Sequence, residues 1–329
     1  MEENRVVRIN RPNTWSVSRR QLLHKCPRAW ALKYGFKRSN KPFNRHLQGI
    51  SDWTSNWRMM QRTLRELIQS RLDSVKQNSN WIEKDVESKI KFIIKSKNQS
   101  RKRVLKVVED RINKKSKLRS RISKDEVKRL VKICKFRFDK LMNIHPFSSI
   151  INGSIKNWHT FSRLEKTKFG KFSIHAAPDL AWFEHDKWHI ARFCIQAKSK
   201  MTEQEEIENL SLLYWAVTKI GLPSNCERFV VHDISWRSGR WFHWVKNGFQ
   251  EDLENSLKLI TLDMKAMLDI FERLGPVCDL SQIPLAKNKQ TCKTCGHRDT
   301  CPGGQDLIRA KLEQESLELI KASRKSRAR

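Results

Sequence analysis

Residues 176–200, AAPDLAWFEHDKWHIARFCIQAKSK, constrain the fold of this chain more than any other stretch. They read as two β-strands joined by a short polar turn. The first, at 179–183, leaves the pair Pro178-Asp179. The second, at 188–197, is rich in β-branched and aromatic residues and ends in Gln196-Ala197-Lys198. Side chains alternate along a strand, so Gln196 and Lys198 face one way while Phe193, Ile195 and Ala197 face the other. The apolar set can be buried while an amide oxygen and an ammonium are offered together at the strand's end. A neighbouring strand that brings Asp179 alongside adds a carboxylate. Carboxylate, neutral oxygen and cation together suit a hard divalent metal and a water molecule beside a phosphodiester.

The rest of the chain reads as elements able to flank such a pair. Residues 15–36 give a short helix and its flanks, with Leu22, Leu23, Trp30 and Tyr34 on the apolar side. From about 53 to 144 the pattern is helical: Leu64, Leu67, Ile68, Leu72 and Val75 recur at helix spacing, as do Val86, Ile90, Ile93 and Ile94. After Pro146 the pattern turns to strands at 158–164, 171–176, 179–183 and 188–197. A helix follows at 203–220, closed by Gly221 and Pro223, then strands at 226–234 and 240–245 and a long helix at 249–274. Strands, helix, strands, helix in that order indicate a mixed α/β layer.

Charge narrows the partner. The 329 residues hold 67 Lys and Arg against 35 Asp and Glu, a net +32. Self-repulsion on that scale is relieved by a polyanion, so nucleic acid is the expected partner. The excess is concentrated at 101–132, with fourteen basic residues against four acids. Arg101, Lys102, Arg103, Lys114, Lys115, Lys117, Arg119 and Arg121 are the expected phosphate contacts. Charge does not separate DNA from RNA. No stretch reaches the roughly 20 apolar residues of a membrane span, the N-terminus has no signal-peptide core, and a cytoplasmic location is expected. There is no Gly-rich phosphate loop, so ATP hydrolysis is not expected. His175, His185 and His189 are expected to face solvent or close a strand.

Eight cysteines are present, and three of them, Cys292-x2-Cys295-x5-Cys301, are bunched in one polar stretch. Three thiolates are one short of a four-ligand site. Cys26 is the expected fourth, because it too sits in a polar context and precedes a proline. Zinc and iron–sulfur clusters both take four thiolates.

Pro178-Asp179, sixteen intervening residues and Gln196-x-Lys198 resemble the PD-(D/E)XK nuclease superfamily. The variant is the one in which glutamine replaces the second acid, as in Mrr-type restriction enzymes and some transposon end-cleaving nucleases. One N-terminal cysteine followed by C-x2-C-x5-C after the core is similar to the iron–sulfur branch of RecB-like exonucleases, which includes the AddB-type subunit and the CRISPR adaptation exonucleases. Ser18 through Cys26-Pro27-Arg28-Ala29-Trp30 to Tyr34 looks like that branch's opening, and Cys295-Gly296-His297-Arg298 to Cys301 like its closing motif.

That resemblance implies an α/β fold: a restriction-endonuclease-like mixed sheet flanked by helices, with a basic helical insertion and a four-cysteine clip. It divides the chain into an N-terminal segment (1–44), the insertion (45–146), the core (147–275) and a cysteine-bearing tail (276–329). It implies that Asp179, Gln196 and Glu165 hold Mg2+ or Mn2+, that Lys198 serves the attacking water, and that Tyr214 stands in a family helix motif. It favours a 4Fe-4S cluster on Cys26, Cys292, Cys295 and Cys301 over structural zinc. The implied activity is deoxyribonuclease action on single-stranded DNA or free ends, in repair or defence, beside a helicase or similar subunit. The departures point to a second outcome. Gln61 stands where the family has a metal-binding histidine, Gln196 replaces an acid, and Leu210, beside Asn209, occupies a glutamine position. A lapsed DNA-binding subunit of a larger complex keeps the fold, the cluster and the charge without the chemistry.

Overall fold

The structure is a computed structural model that describes residues 11–36, 47, 50, 55–109, 122–275, 279–293, 295–298, 301 and 316. The chain gathers into two compact units. One joins Met1–Asp52 to Leu262–Arg329, and the other is the continuous stretch Trp53–Thr261.

The larger unit is a mixed α/β structure around a five-stranded sheet. Its strands are β2 (Trp158–Thr160), β5 (Leu180–Glu184), β6 (Lys187–Cys194), β7 (Phe229–Arg237) and β8 (Arg240–Asn247), adjacent in that order. Strands β2, β5 and β6 pair antiparallel, β6 and β7 pair parallel, and β7 and β8 pair antiparallel. A parallel pair needs a crossover, which two consecutive helices supply, Glu203–Leu210 and Leu212–Thr218. The first of these opens on a reciprocal capping box between Thr202 and Glu205. Strands β3 (Thr167–Phe169) and β4 (Phe172–His175) form a separate hairpin closed by Gly170 at φ +54°.

Alternation along the strands decides what covers each face. Leu180, Trp182, Ala191, Phe193, Ile195 and Ile234 share one core with three long helices, Asn56–Lys76, Val86–Glu109 and Lys124–Met142. Ala181, Ile190, Phe229 and Val231 share the other with the crossover helices, through Leu210, Leu213, Trp215 and Ala216. The basic helical stretch is thus an outer layer of the sheet's own core rather than an appendage. Its helices form because apolar residues recur on one side: Met60, Leu64, Leu67 and Ile68 in the first; Val86, Ile90 and Ile94 in the second; Leu130, Cys134, Phe138 and Leu141 in the third. Ser55 and Ser123 cap the first and third by accepting from Arg58 N and Glu126 N.

The smaller unit holds the strand β1 (Thr14–Ser16) and the helices Val17–Lys25 and Pro27–Trp30, with Cys26 at the helix junction. Buried Asp263 gathers this end of the chain. Its carboxylate accepts from Trp15 Nε1 at 2.8 Å, lies 2.9 Å from His24 Nε2, and pairs with Arg20 at 3.5 Å.

Candidate functional site

Asp179 sits immediately before β5, where its N–H donates to Ala191 O (2.8 Å) and its Oδ2 accepts from Phe193 N (2.6 Å). The hairpin thus places the carboxylate near the end of β6, and it is only 8 % exposed. Two arginines close on it. Arg65, from the helix Asn56–Lys76, donates Nη1 to Oδ1 at 2.8 Å. Arg163, from the loop after β2, donates Nε to Oδ1 at 2.5 Å and Nη2 to Oδ2. Both guanidiniums also donate to Phe193 O, at 3.1 and 2.6 Å. Burial alone would raise the pKa of Asp179, but Arg163 and then Arg65 outweigh it and hold the group below the ordinary carboxylate range.

The other metal-site residues are engaged elsewhere. Glu165 Oε1 accepts from Trp215 Nε1 at 3.1 Å and Lys219 Nζ at 2.5 Å, at the end of the crossover helix Leu212–Thr218. Tyr214 donates its hydroxyl to Lys168 O at 2.7 Å and packs edge-on against Phe169, so it serves the β3–β4 hairpin. Gln196 lies two residues past β6, is exposed as its parity requires, and accepts from Arg137 Nη2 at 3.2 Å. Arg137 also donates to Ile195 O at 2.8 Å, and its guanidinium lies against Trp57 and Trp236. The side chain of Lys198 is exposed, while its carbonyl accepts from Arg237 Nη1 at 3.0 Å.

Mg2+ or Mn2+ is held by carboxylate oxygens with room for water. Here both oxygens of Asp179 are taken by guanidinium and amide donors, and Glu165 is committed to Lys219. The residues present do not fit a resident divalent metal in this arrangement. Sequence reasoning missed Arg65, Arg163 and Arg137. Arg163 lies two residues before Glu165, but in a chain this basic a single arginine carries little signal. Of the expected phosphate contacts, Arg101, Lys102 and Arg103 lie in the helix Val86–Glu109. Lys114, Lys115, Lys117, Arg119 and Arg121 lie outside the described residues.

The cysteine residues do converge. Cys26 and Cys292 are buried in one small cluster with Ala29 and Ala286, and Cys295 packs against it. None of the described cysteines is in a disulfide. The chain around them turns tightly: Cys295 N donates to Cys292 O, and Cys301 N to Arg298 O. Ala29 N donates to Cys26 Sγ at 3.4 Å. Arg28 ties the two ends together, donating Nε to Ile283 O (2.9 Å) and Nη2 to Ser281 O (3.2 Å). Burial pushes the Cys301 thiol up to about 11, with Arg28 opposing and Cys26 and Cys295 adding to the rise. Burial raises Cys295 as well, with Cys26 and Cys292 contributing. Thiols that resist ionising because of burial and neighbouring thiolate charge, as Cys295 and Cys301 do, become good ligands once a cation neutralises them. This donor set fits either a 4Fe-4S cluster or zinc.

No helix among the described residues is long and apolar enough to cross a membrane. Comparison with protein-family models, with curated proteins and with solved structures gives no match.

Proposed function

We propose that this chain binds DNA without cutting it, as a subunit built on a PD-(D/E)XK-type core whose metal site has lapsed. The observation that carries this reading is the capping of Asp179 by Arg65 and Arg163. Two guanidiniums against one carboxylate leave a net positive charge where a nuclease would hold a metal, and that suits a phosphate rather than a dication. The sheet order supports the nuclease-type core: the Asp and the Gln-x-Lys flank the two ends of an antiparallel hairpin, and a helical crossover leads to a parallel strand. The four thiolates of Cys26, Cys292, Cys295 and Cys301 hold a 4Fe-4S cluster, with structural zinc as the alternative, and join the first and last segments of the chain. A partner, a helicase or the cleaving subunit of a repair or defence complex, would supply the chemistry.

Metal-dependent cleavage is the second reading. It is favoured by the exposed Gln196 and Lys198 at the end of β6, and it requires Asp179 to shed both guanidiniums.

The binding reading is tested by mobility shift of single-stranded and end-bearing duplex DNA over a salt series, with and without EDTA. Binding should be indifferent to EDTA. It should weaken with a slope of about −0.7 per single-strand phosphate contact and about −0.9 per duplex contact. Reversing Arg101, Lys102, Arg103 and Lys114 together should flatten the slope. Binding that needs Mg2+, or a slope untouched by the four reversals, would contradict it.

A further inference from the structure

We propose that Glu184, His185 and His189 form a binding site for a divalent cation of the zinc class, backed by a histidine chain through His232 to His243. One ligand atom from each of the three lies within 4.8 Å of the others. The hairpin brings them together. Glu184 ends β5, His185 is the first residue of the two-residue turn, and His189 lies directly across from Trp182 on β6. The turn is tight because His185 and Asp186 both take positive φ, +49° and +56°, as a two-residue hairpin connection of this type requires.

The carboxylate is oriented before any cation arrives. Glu184 Oε2 receives Trp182 Nε1 at 3.1 Å and lies 3.2 Å from His145 Nε2, which leaves Oε1 for a cation. Trp182 in turn stacks on His189, with ring centroids 5.0 Å apart and planes 17° apart, fixing that imidazole's plane.

Behind the ligands runs a continuous chain of rings. His189 Nδ1 lies 2.9 Å from His232 Nε2, and His232 Nδ1 lies 2.7 Å from His243 Nε2. At the other end, His189 Nε2 lies 3.1 Å from Glu184 O, which can only accept. With no cation, His189 therefore carries its proton on Nε2, and neutral rings in series each donate from Nε2. A cation on His189 Nε2 displaces that proton to solvent. Each ring then donates from Nδ1 instead: His189 to His232, and His232 to His243. His243 Nδ1 gains a proton from solvent, so every ring stays neutral. The bound form is the arrangement metal-ligating histidines use, in which the second ring N–H donates to an outer partner. His232 is only 3 % exposed, so the middle ring of this chain lies inside the core behind the ligands.

Two imidazoles and one carboxylate are a borderline donor set. They suit Zn2+ and its neighbours better than Mg2+ or Ca2+, which prefer oxygen alone. Three protein ligands leave a coordination position for water or an incoming group. This site does not depend on the DNA-binding reading and shares no residue with the thiolate centre.

The test is a calorimetric Zn2+ titration of the full chain with its thiolate centre intact, paired with metal counting after desalting. The wild type should retain one zinc beyond the thiolate-bound metal. His185→Ala, in an exposed turn, and Glu184→Gln should each weaken that additional binding by more than about tenfold while thermal unfolding stays unchanged. Co2+ at the site should show visible bands of nitrogen and oxygen coordination without thiolate charge transfer. His243→Ala, which spares all three ligands, should weaken the site by about tenfold, the lower end expected for loss of an outer partner. Equal retention by wild type, His185→Ala and Glu184→Gln overturns the site. Unchanged affinity in His243→Ala overturns the histidine chain as its outer shell.

Discussion

The carboxylate of Asp179 accepts four hydrogen bonds, three of them from the guanidiniums of Arg65 and Arg163. A group so held stabilises the fold when ionised, and its pKa lies below the ordinary value of about 4. A depressed carboxylate contributes stability that is fully present above its unfolded pKa and is lost as pH falls through the folded value. Asp179→Asn should therefore destabilise the protein at neutral pH, on the order of 2 kcal/mol, because Asp179 is buried while Arg65 and Arg163 are more than a third exposed to solvent. The difference from wild type should shrink below about pH 4. Denaturant unfolding at pH 7 and pH 3.5 measures both effects, and equal midpoints at pH 7 would show that the triad contributes nothing. The position of Asp179 could be read from the sequence, because strand parity and the Pro-Asp pair fix where it emerges. Its partners could not, because Arg65 and Arg163 come from 114 and 16 residues away and nothing local marks them.

Among the elements, the junction at Cys26 shows how local chemistry sets a long-range tie. Ser16 caps the helix Val17–Lys25 by accepting from Arg19 N, and Pro27 starts the next helix where a missing N–H costs nothing. The bend between them presents Cys26 to Cys292 and Cys295, more than 260 residues later. Cys26→Ser should release the cluster or lower its metal content, and should lower the thermal stability of the protein as purified. Iron and sulfide analysis with visible absorption checks this, and one equivalent of zinc in colourless protein would replace iron while keeping the ligands. The meeting of Cys26 with Cys292 and Cys295 was legible in spacing and sequence context. Helix and strand positions were also legible to within a few residues, since hydrophobic period reports them. The expected helix at 203–220 is instead two helices that meet at Ser211, whose hydroxyl donates to Glu208 O. The role of the basic helices was not legible: periodicity gives a helix's buried side but not what it is buried against. The histidine chain escaped notice for the same reason, since His189, His232 and His243 meet only through strand register.

At the scale of the whole molecule, a net +32 is carried by a chain whose two ends share one unit and whose middle forms the sheet and its two helical layers. The charge suits a polyanion, and in the proposed reading Asp179 with Arg65 and Arg163 marks a phosphodiester site in which arginines stand in the place of a metal. The most direct test is incubation of single-stranded and end-bearing duplex DNA with stoichiometric protein in Mg2+ and in Mn2+, beside Asp179→Ala and Lys198→Ala. The DNA should be bound and left intact by the wild type in either metal, with no difference in cleavage among the three proteins. Metal-dependent cleavage by the wild type that EDTA stops and that Asp179→Ala or Lys198→Ala abolishes would contradict the central claim, and would mean that Asp179 exchanges its arginines for a catalytic metal.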